Sequence, residues 1–166
     1  MIRNILKLNK LENQELAPQY ENIRLDEMLA QSLLQFEEKI DEKGLELDCE
    51  LKEVYVSSDA DFLEIIWSNL ISNAIKFTYT GGQVELSLAD SGDCWTIYVK
   101  DNGKGIPKDL QTHLLKSDEY ITTYGTHNEK GSGLGLILCR DFIRMNKGKL
   151  HFCSQEGIGT TFYFTI

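Results

Sequence analysis

Asn69-Leu-Ile-Ser-Asn73-Ala-Ile-Lys76 is the stretch whose reading decides this chain. It closes a helical pattern that opens at Asp59 or Asp61 and runs to about Phe77. At 100° per residue, Leu63, Ile66, Trp67, Leu70, Ile71, Ala74, Ile75 and Phe77 cover a broad apolar arc. Asn69, Ser72, Asn73 and Lys76 fall together on a narrow polar stripe. A solvated stripe ordinarily carries Glu, Lys and Arg, which form helices better than Asn does. Two Asn residues one turn apart cost helix propensity, so their amides are expected to have a use. A carbonyl oxygen suits Mg²⁺, which keeps most of its waters and takes few protein ligands when phosphates complete its shell. The expectation is that Asn73 binds Mg²⁺ and Lys76 contacts a phosphate.

Two glycine-rich segments follow. Asp101-Asn-Gly103-Lys-Gly105-Ile-Pro107 comes directly after an apolar strand pattern, Trp95–Lys100. Asp-Asn-Gly and Lys-Gly are common turn pairs, so a plain surface turn accounts for it equally well. Its position favours a site, because an acid at the end of an apolar strand is partly buried and needs a donor. The exocyclic amine of adenine is such a donor, and Gly103 and Gly105 let the backbone approach a ring. Gly131-Ser-Gly133-Leu-Gly135-Leu136 then opens a helix read as Leu134–Met145. Free N–H groups and the positive end of the helix dipole favour phosphate there. The spacing is neither the dinucleotide fingerprint nor a Walker A loop. The run before it, Thr122 to Lys130, is basic and rich in hydroxyls, and can close over phosphates as a lid. Lys130 is the candidate for a γ-phosphate contact.

The remaining chain reads as a mixed layout. Residues 1–16 carry a short helical pattern ended by Ala17-Pro18, and Glu21–Leu25 fits an edge strand. Asp26 is placed as the N-cap of a helix to about Lys43, stopped by Gly44. Leu45–Leu51 alternates as a half-buried strand, and Val54–Val56 is a second short one. Gln83–Ala89 and Trp95–Lys100 form a hairpin, residues 108–132 lack periodicity, and Lys149–Ser154 and Thr160–Ile166 close the chain. The fold class is α+β: a two-layer sandwich with helices on one face of a mixed, mostly antiparallel sheet.

Composition narrows the function classes. The chain has 166 residues, one domain's worth, and a net charge of −9. That charge argues against a nucleic-acid surface. No window is apolar and long enough to span a bilayer, and no signal peptide opens the chain, so no membrane contact is expected of this domain. Cys49, Cys94, Cys139 and Cys153 form no C-x-x-C pair, which reads as reduced cysteines acting as small apolar residues in the cytoplasm.

Taken in order, the three segments resemble the nucleotide-binding boxes of the GHKL ATPase superfamily, and most closely those of bacterial sensor histidine kinases. The likeness covers roughly residues 20–166. It implies the Bergerat ATP-binding fold, with ATP and Mg²⁺ held between helices under a mobile lid. Asn69, Asn73, Lys76 and Phe77 would come from the helix, with Mg²⁺ on Asn73. Asp101, Gly103, Gly105 and Ile106 would surround adenine. Lys130, Gly131, Ser132, Gly133, Leu134, Gly135 and Leu136 would form the phosphate loop. Thr160-Thr161-Phe162 matches a further family segment, and Thr161 is placed near the adenine.

Position 69 discriminates within the superfamily. Gyrase-like, mismatch-repair and chaperone ATPases carry a Glu one turn before the metal Asn, where it polarises the attacking water. This chain has Asn69, and an amide is not a general base. The resemblance therefore implies a protein-histidine kinase that holds ATP for transfer. Residues 1–17 resemble the end of a dimerisation helix and its linker, ahead of a catalytic domain at 18–166. His113, His127 and His151 lack the acidic neighbour of a phosphoacceptor. The acceptor is thus expected on the parent's own dimerisation domain, with a response-regulator receiver domain downstream and any membrane anchor left to the full-length parent. Two other readings stay open: an anti-sigma-type serine kinase, and a GHKL ATPase module without kinase activity. Two departures from the family stand out. Leu114-Leu115 and Tyr120 replace a Phe-x-x-Phe signature, and Phe77 replaces a common Tyr.

Overall fold

A computed structural model describes residues 17–115, 123–129 and 133–166. The helix expected within residues 1–16 lies outside the described residues, as do Tyr120, Lys130, Gly131 and Ser132.

The central helix, α3, is Ala60–Phe77; the elements before it are β1 (Glu21–Arg24), α1 (Leu25–Leu34), α2 (Glu37–Lys43), β2 (Glu46–Glu50) and β3 (Tyr55–Ser58). Asp59 starts α3 by accepting from the Phe62 N–H at 3.0 Å. Its second oxygen accepts from the Gln19 N–H at 2.7 Å, tying down the chain entry. Phe62, Leu63, Ile66, Trp67, Leu70, Ile71, Ala74 and Ile75 are buried, so the apolar arc read from sequence is the inner face of the molecule except at its end, where Phe77 is half-buried. After α3 come β4 (Gln83–Asp90), β5 (Trp95–Asp101), a short α4 (Lys108–Gln111), α5 (Gly135–Met145), β6 (Leu150–Gln155) and β7 (Gly159–Thr165).

Five strands form one sheet in the order β2-β4-β5-β7-β6, antiparallel throughout except for the β2–β4 pair. Alternate residues of β4, β5 and β7 face one continuous core, which α3 and α5 cover. Phe62 stacks on Phe142 of α5 at 4.2 Å between ring centroids, and Trp67 meets Phe164 of β7 edge-on at 5.7 Å. The opposite sheet face carries Tyr98, Tyr163 and His151, stacked side by side across β5, β7 and β6. The expected α+β two-layer sandwich with helices on one face is what the chain forms.

Four local expectations need correction. The helix expected from Asp26 to Lys43 is two helices, α1 and α2. Ser32 Oγ bonds back to the Met28 carbonyl at 2.9 Å, the Phe36 N–H turns to the Leu33 carbonyl, and Phe36 leaves helical geometry to bury its ring. Asp26 is not the N-cap; it sits in the first turn of α1, paired with Arg24 at 3.1 Å. The strand at 45–51 is buried only at its ends, where Leu45 and Leu51 pack on the core. All five residues of β2 (Glu46–Glu50) are exposed, and it is an edge strand paired only with β4. The strand placed at Val54–Val56 begins at Tyr55 and pairs with β1 in a separate two-stranded sheet. Gly44 does end α2, in the left-handed conformation at φ 58°. Of the four cysteines only Cys139 fills the core, where burial pushes its thiol up; Cys49 and Cys153 are exposed.

Candidate nucleotide site

A cavity of about 550 Å³ opens between the polar stripe of α3, the loop after β5, and the start of α5. Asn69, Ser72, Asn73, Lys76 and Phe77 line it from α3. Asp101, Lys104, Gly105 and Ile106 line its floor, with Thr160 and Phe162 of β7 beside them. Gly133, Gly135 and Leu136 come from the glycine segment. The structure thus assembles the three sequence segments around one space. Gly103 and Leu134 do not line it: Gly103 supports Asp101 from behind, and Leu134 stands at the N-cap of α5.

Asp101 owes its position to strand register. It ends β5 on the inward face, directly opposite Thr160 of β7. Its Oδ1 accepts from the Gly103 N–H at 2.9 Å and from the Thr160 N–H at 3.3 Å. The residue is 7 % exposed, and burial pushes its carboxyl up to about 6 despite those two bonds. A Cβ on Gly103 would collide with the Phe77 carbonyl oxygen, so only glycine lets this turn pack against the end of α3.

The same register corrects the threonine assignment. Thr161 pairs with Lys100 and lies on the opposite face of the sheet, away from the cavity. Side chains alternate along a strand, so the residue beside the acid is Thr160.

On α3 the two amides differ. Asn69 Nδ2 donates to the Ile65 carbonyl at 2.8 Å, and its Oδ1 faces Gly135, where an added Cβ would stand 2.5 Å away. Asn73 lines the cavity, and its amide bonds to no group among the described residues. Lys76 Nζ donates to the Thr123 carbonyl at 3.0 Å and lies 4.7 Å from the centre of the Phe77 ring. Burial lowers its ammonium, with Glu129 opposing and Lys104 and Lys43 adding to the fall. Lys104 Nζ reaches the same ring at 5.1 Å and donates to the Tyr124 carbonyl at 2.6 Å.

Sequence reasoning missed Lys43. It is 4 % exposed and lines the cavity. Its Nζ donates to the carbonyls of Ile75, Lys76 and Thr78 at 2.9, 3.1 and 3.3 Å, and to Thr126 Oγ1 at 2.8 Å. It also pairs with Glu129 at 3.0 Å. One ammonium therefore caps the carbonyl end of α3 and holds segment 123–129 against it. The only sequence hint was a Lys before a helix-ending Gly, which by itself reads as an ordinary last-turn cation.

The donor set fits a nucleotide with its metal. The cavity holds a buried acceptor at its floor, Lys39, Lys43, Lys76 and Lys104 in its lining, and an Asn73 amide that no described residue engages. Among the described residues no three His, Cys, Asp or Glu gather into a metal cage, so a metal here needs ligands from elsewhere, as phosphates would supply. Among the described residues no helix is long and apolar enough to cross a membrane.

Comparison with known proteins agrees with this geometry. The family described as histidine kinase-, DNA gyrase B- and HSP90-like ATPase matches residues 58–166. The adaptive-response sensory kinase SasA of Crocosphaera subtropica is 30% identical over 169 residues, covering 100% of this chain and 44% of that protein. The sensor protein EvgS of Escherichia coli K12 is 33% identical, covering 100% of this chain and 14% of that protein. The chain thus spans less than half the length of these curated relatives. Among solved structures, the catalytic domain of the histidine kinase ThkA superimposes with a TM-score of 0.75 at 26% identity, covering 89% of this chain and 95% of that one. The chain belongs to the family of histidine kinase-, DNA gyrase B- and HSP90-like ATPases, and within it resembles the catalytic domains of sensor histidine kinases.

Proposed function

We propose that this domain binds Mg·ATP and donates the γ-phosphoryl group to a histidine on its parent's dimerisation domain, from which a response-regulator receiver domain draws it. The observation that carries this reading is Asn69. It stands one turn before Asn73 at the cavity wall, and its amide nitrogen is engaged by the Ile65 carbonyl. No general base occupies that position, so water is not activated and the nucleotide waits for an acceptor.

Asp101 accepts from the adenine amine, and Ile106 and Phe162 flank the base. Asn73 offers its amide oxygen to Mg²⁺, which when bound neutralises phosphate charge and orients the transferring group. Lys76 and Lys104 supply positive charge near the phosphates, and Phe77 packs beside them. Lys130, Gly131 and Ser132 complete the phosphate loop with Gly133, Leu134, Gly135 and Leu136. Residues 18–166 act as the catalytic domain, and the sequence of residues 1–17 resembles the end of a dimerisation helix and its linker. The site of action is the cytoplasm.

One experiment tests the reading. The chain is incubated with Mg·ATP and a dimerisation-helix fragment bearing the acceptor histidine. An acid-labile, base-stable phosphoprotein is expected. Acid-stable phosphoserine on a partner would establish a serine kinase instead, and steady phosphate release without any acceptor would establish a hydrolase.

A further inference from the structure

The hydrogen bonds behind Asp101 have a direction, and following the protons gives it. Ser154 Oγ, on β6, has three polar neighbours among the described residues. The Ile106 N–H donates to it at 2.9 Å. The Gly159 carbonyl lies 3.0 Å away and the Thr160 hydroxyl 2.9 Å away. A carbonyl only accepts, so the single Ser154 proton goes to Gly159. The Thr160 hydroxyl must then donate its own proton to Ser154 Oγ. Thr160 lines the cavity, and its hydroxyl is left with acceptor lone pairs and no proton to give.

Asp101 is an acceptor as well. Both of its backbone donors fall on Oδ1, and among the described residues no donor falls on Oδ2, while Asp101 lines the cavity. Acid and hydroxyl sit side by side at paired positions of β5 and β7. The floor of the cavity therefore accepts twice and donates from neither group. Gln111 keeps the arrangement in place: its Nε2 donates to the Ile106 carbonyl at 2.6 Å and to the Ser154 carbonyl at 3.2 Å.

We propose that Ser154 is a positioning residue for base selection: by taking the Thr160 proton, it makes the cavity prefer a 6-amino purine over a 6-oxo purine. An exocyclic amine brings two hydrogens to a double acceptor. A 6-oxo group brings lone pairs against lone pairs, and a buried unmatched acceptor is costly. Without Ser154 Oγ, the Thr160 hydroxyl can turn and donate to a 6-oxo group. This rests on the cavity being the ATP site.

The test is calorimetric titration of the chain with Mg·ATP and with Mg·ITP, the same nucleotide with a 6-oxo base. The wild-type chain favours ATP. Ser154→Ala lowers the ATP-to-ITP affinity ratio by about tenfold, the equivalent of one hydrogen bond. Ser154→Thr, which keeps the hydroxyl, restores the ratio. A merely structural role for Ser154 would weaken both nucleotides together and leave the ratio unmoved, and that result overturns the proposal. Should Ser154→Ala fail to fold, Thr160→Val decides the matter. It removes the hydroxyl and preserves shape, and must also lower the ratio; an unchanged ratio overturns the proposal equally. Wild-type chain that binds neither nucleotide overturns the ATP reading itself. Wild-type chain that binds ATP, with a ratio the variants do not move, overturns the proton order alone.

Discussion

Replacing Asp101 by Asn should make the empty domain more stable while removing its ligand. The carboxyl is buried at the end of β5 and titrates near 6 instead of the ordinary 3.8. A carboxyl raised in the folded state contributes stability below the unfolded value and loses it as pH rises through the folded one. The window is therefore pH 3.8 to about 6, and above it the wild type carries a penalty of up to about 3 kcal/mol for the displacement. Asn carries no charge at any of these pH values. Its Oδ1 still accepts from Gly103 and Thr160, so the turn keeps its supports. Some charge-strengthened bonding is lost, which brings the expected gain to ~1–3 kcal/mol at pH 7.5. At ~2–4 °C per kcal/mol for a domain of this size, the melting temperature rises by roughly 2–12 °C. The gain shrinks as pH falls and vanishes near pH 4, where the wild-type carboxyl is protonated too. Thermal melts followed by circular dichroism at pH 4.5, 6 and 7.5 measure the difference directly, and other carboxylates cancel between the two proteins. Nucleotide affinity, by calorimetry, should fall at least a hundredfold, because an amide N–H meets the adenine amine or one of the two backbone donors. A variant that melts below wild type at pH 7.5, or a gain of the same size at every pH, would refute the burial argument.

Four other perturbations test separate parts of the molecule. Lys43→Met leaves three carbonyls at the end of α3 and the Glu129 carboxylate without their cation. Urea unfolding should show a loss of ~2–4 kcal/mol, and less than ~1 kcal/mol would contradict the capping role. Asn73→Ala should leave thermal stability within ~0.5 kcal/mol, since its amide bonds to no described group, yet abolish Mg²⁺-dependent ATP binding; unchanged calorimetric affinity would exclude Asn73 as the metal ligand. Gly135→Ala drives a methyl into Asn69 Oδ1. The flexible amide can move aside, so the fold should persist while ATP affinity falls about tenfold by displacement of the phosphate loop. Trp67→Phe removes a buried indole N–H that has no partner among the described residues. The relief offsets part of the lost packing against Phe164, and denaturant melts should show a change within ~1 kcal/mol rather than the ~3–5 kcal/mol of a full aromatic truncation.

How much of this was legible beforehand depended on whether a residue's role is local. The apolar arc of α3, the Asp59 cap, the β4–β5 hairpin and the Gly44 stop are each written within a few consecutive residues, and each forms where periodicity and turn chemistry put it. Asp101 was legible for the same reason, as an acid at the end of an apolar strand. Thr161 was misplaced because a strand segment of two threonines fixes the sheet position and leaves the face open. Only pairing with β5 settles it, since Asp101 opposite Thr160 fixes which hydroxyl meets the acid. Lys43 fails the local test more completely. Its partners lie more than thirty residues away on α3 and more than eighty away at Thr126 and Glu129. Nothing near Lys43 in the chain says that a helix end will arrive there needing a cation. Ser154 belongs to the same class: its effect on a base would pass through Thr160, six residues on, and through Ile106, forty-eight residues back. Groups that line the cavity are marked by unusual residue types in local patterns. Groups that orient those residues are ordinary ones, Lys and Ser, made specific only by what the fold brings to them. The three segments that line the cavity were therefore readable from the sequence, and the hydrogen bonds behind them were not.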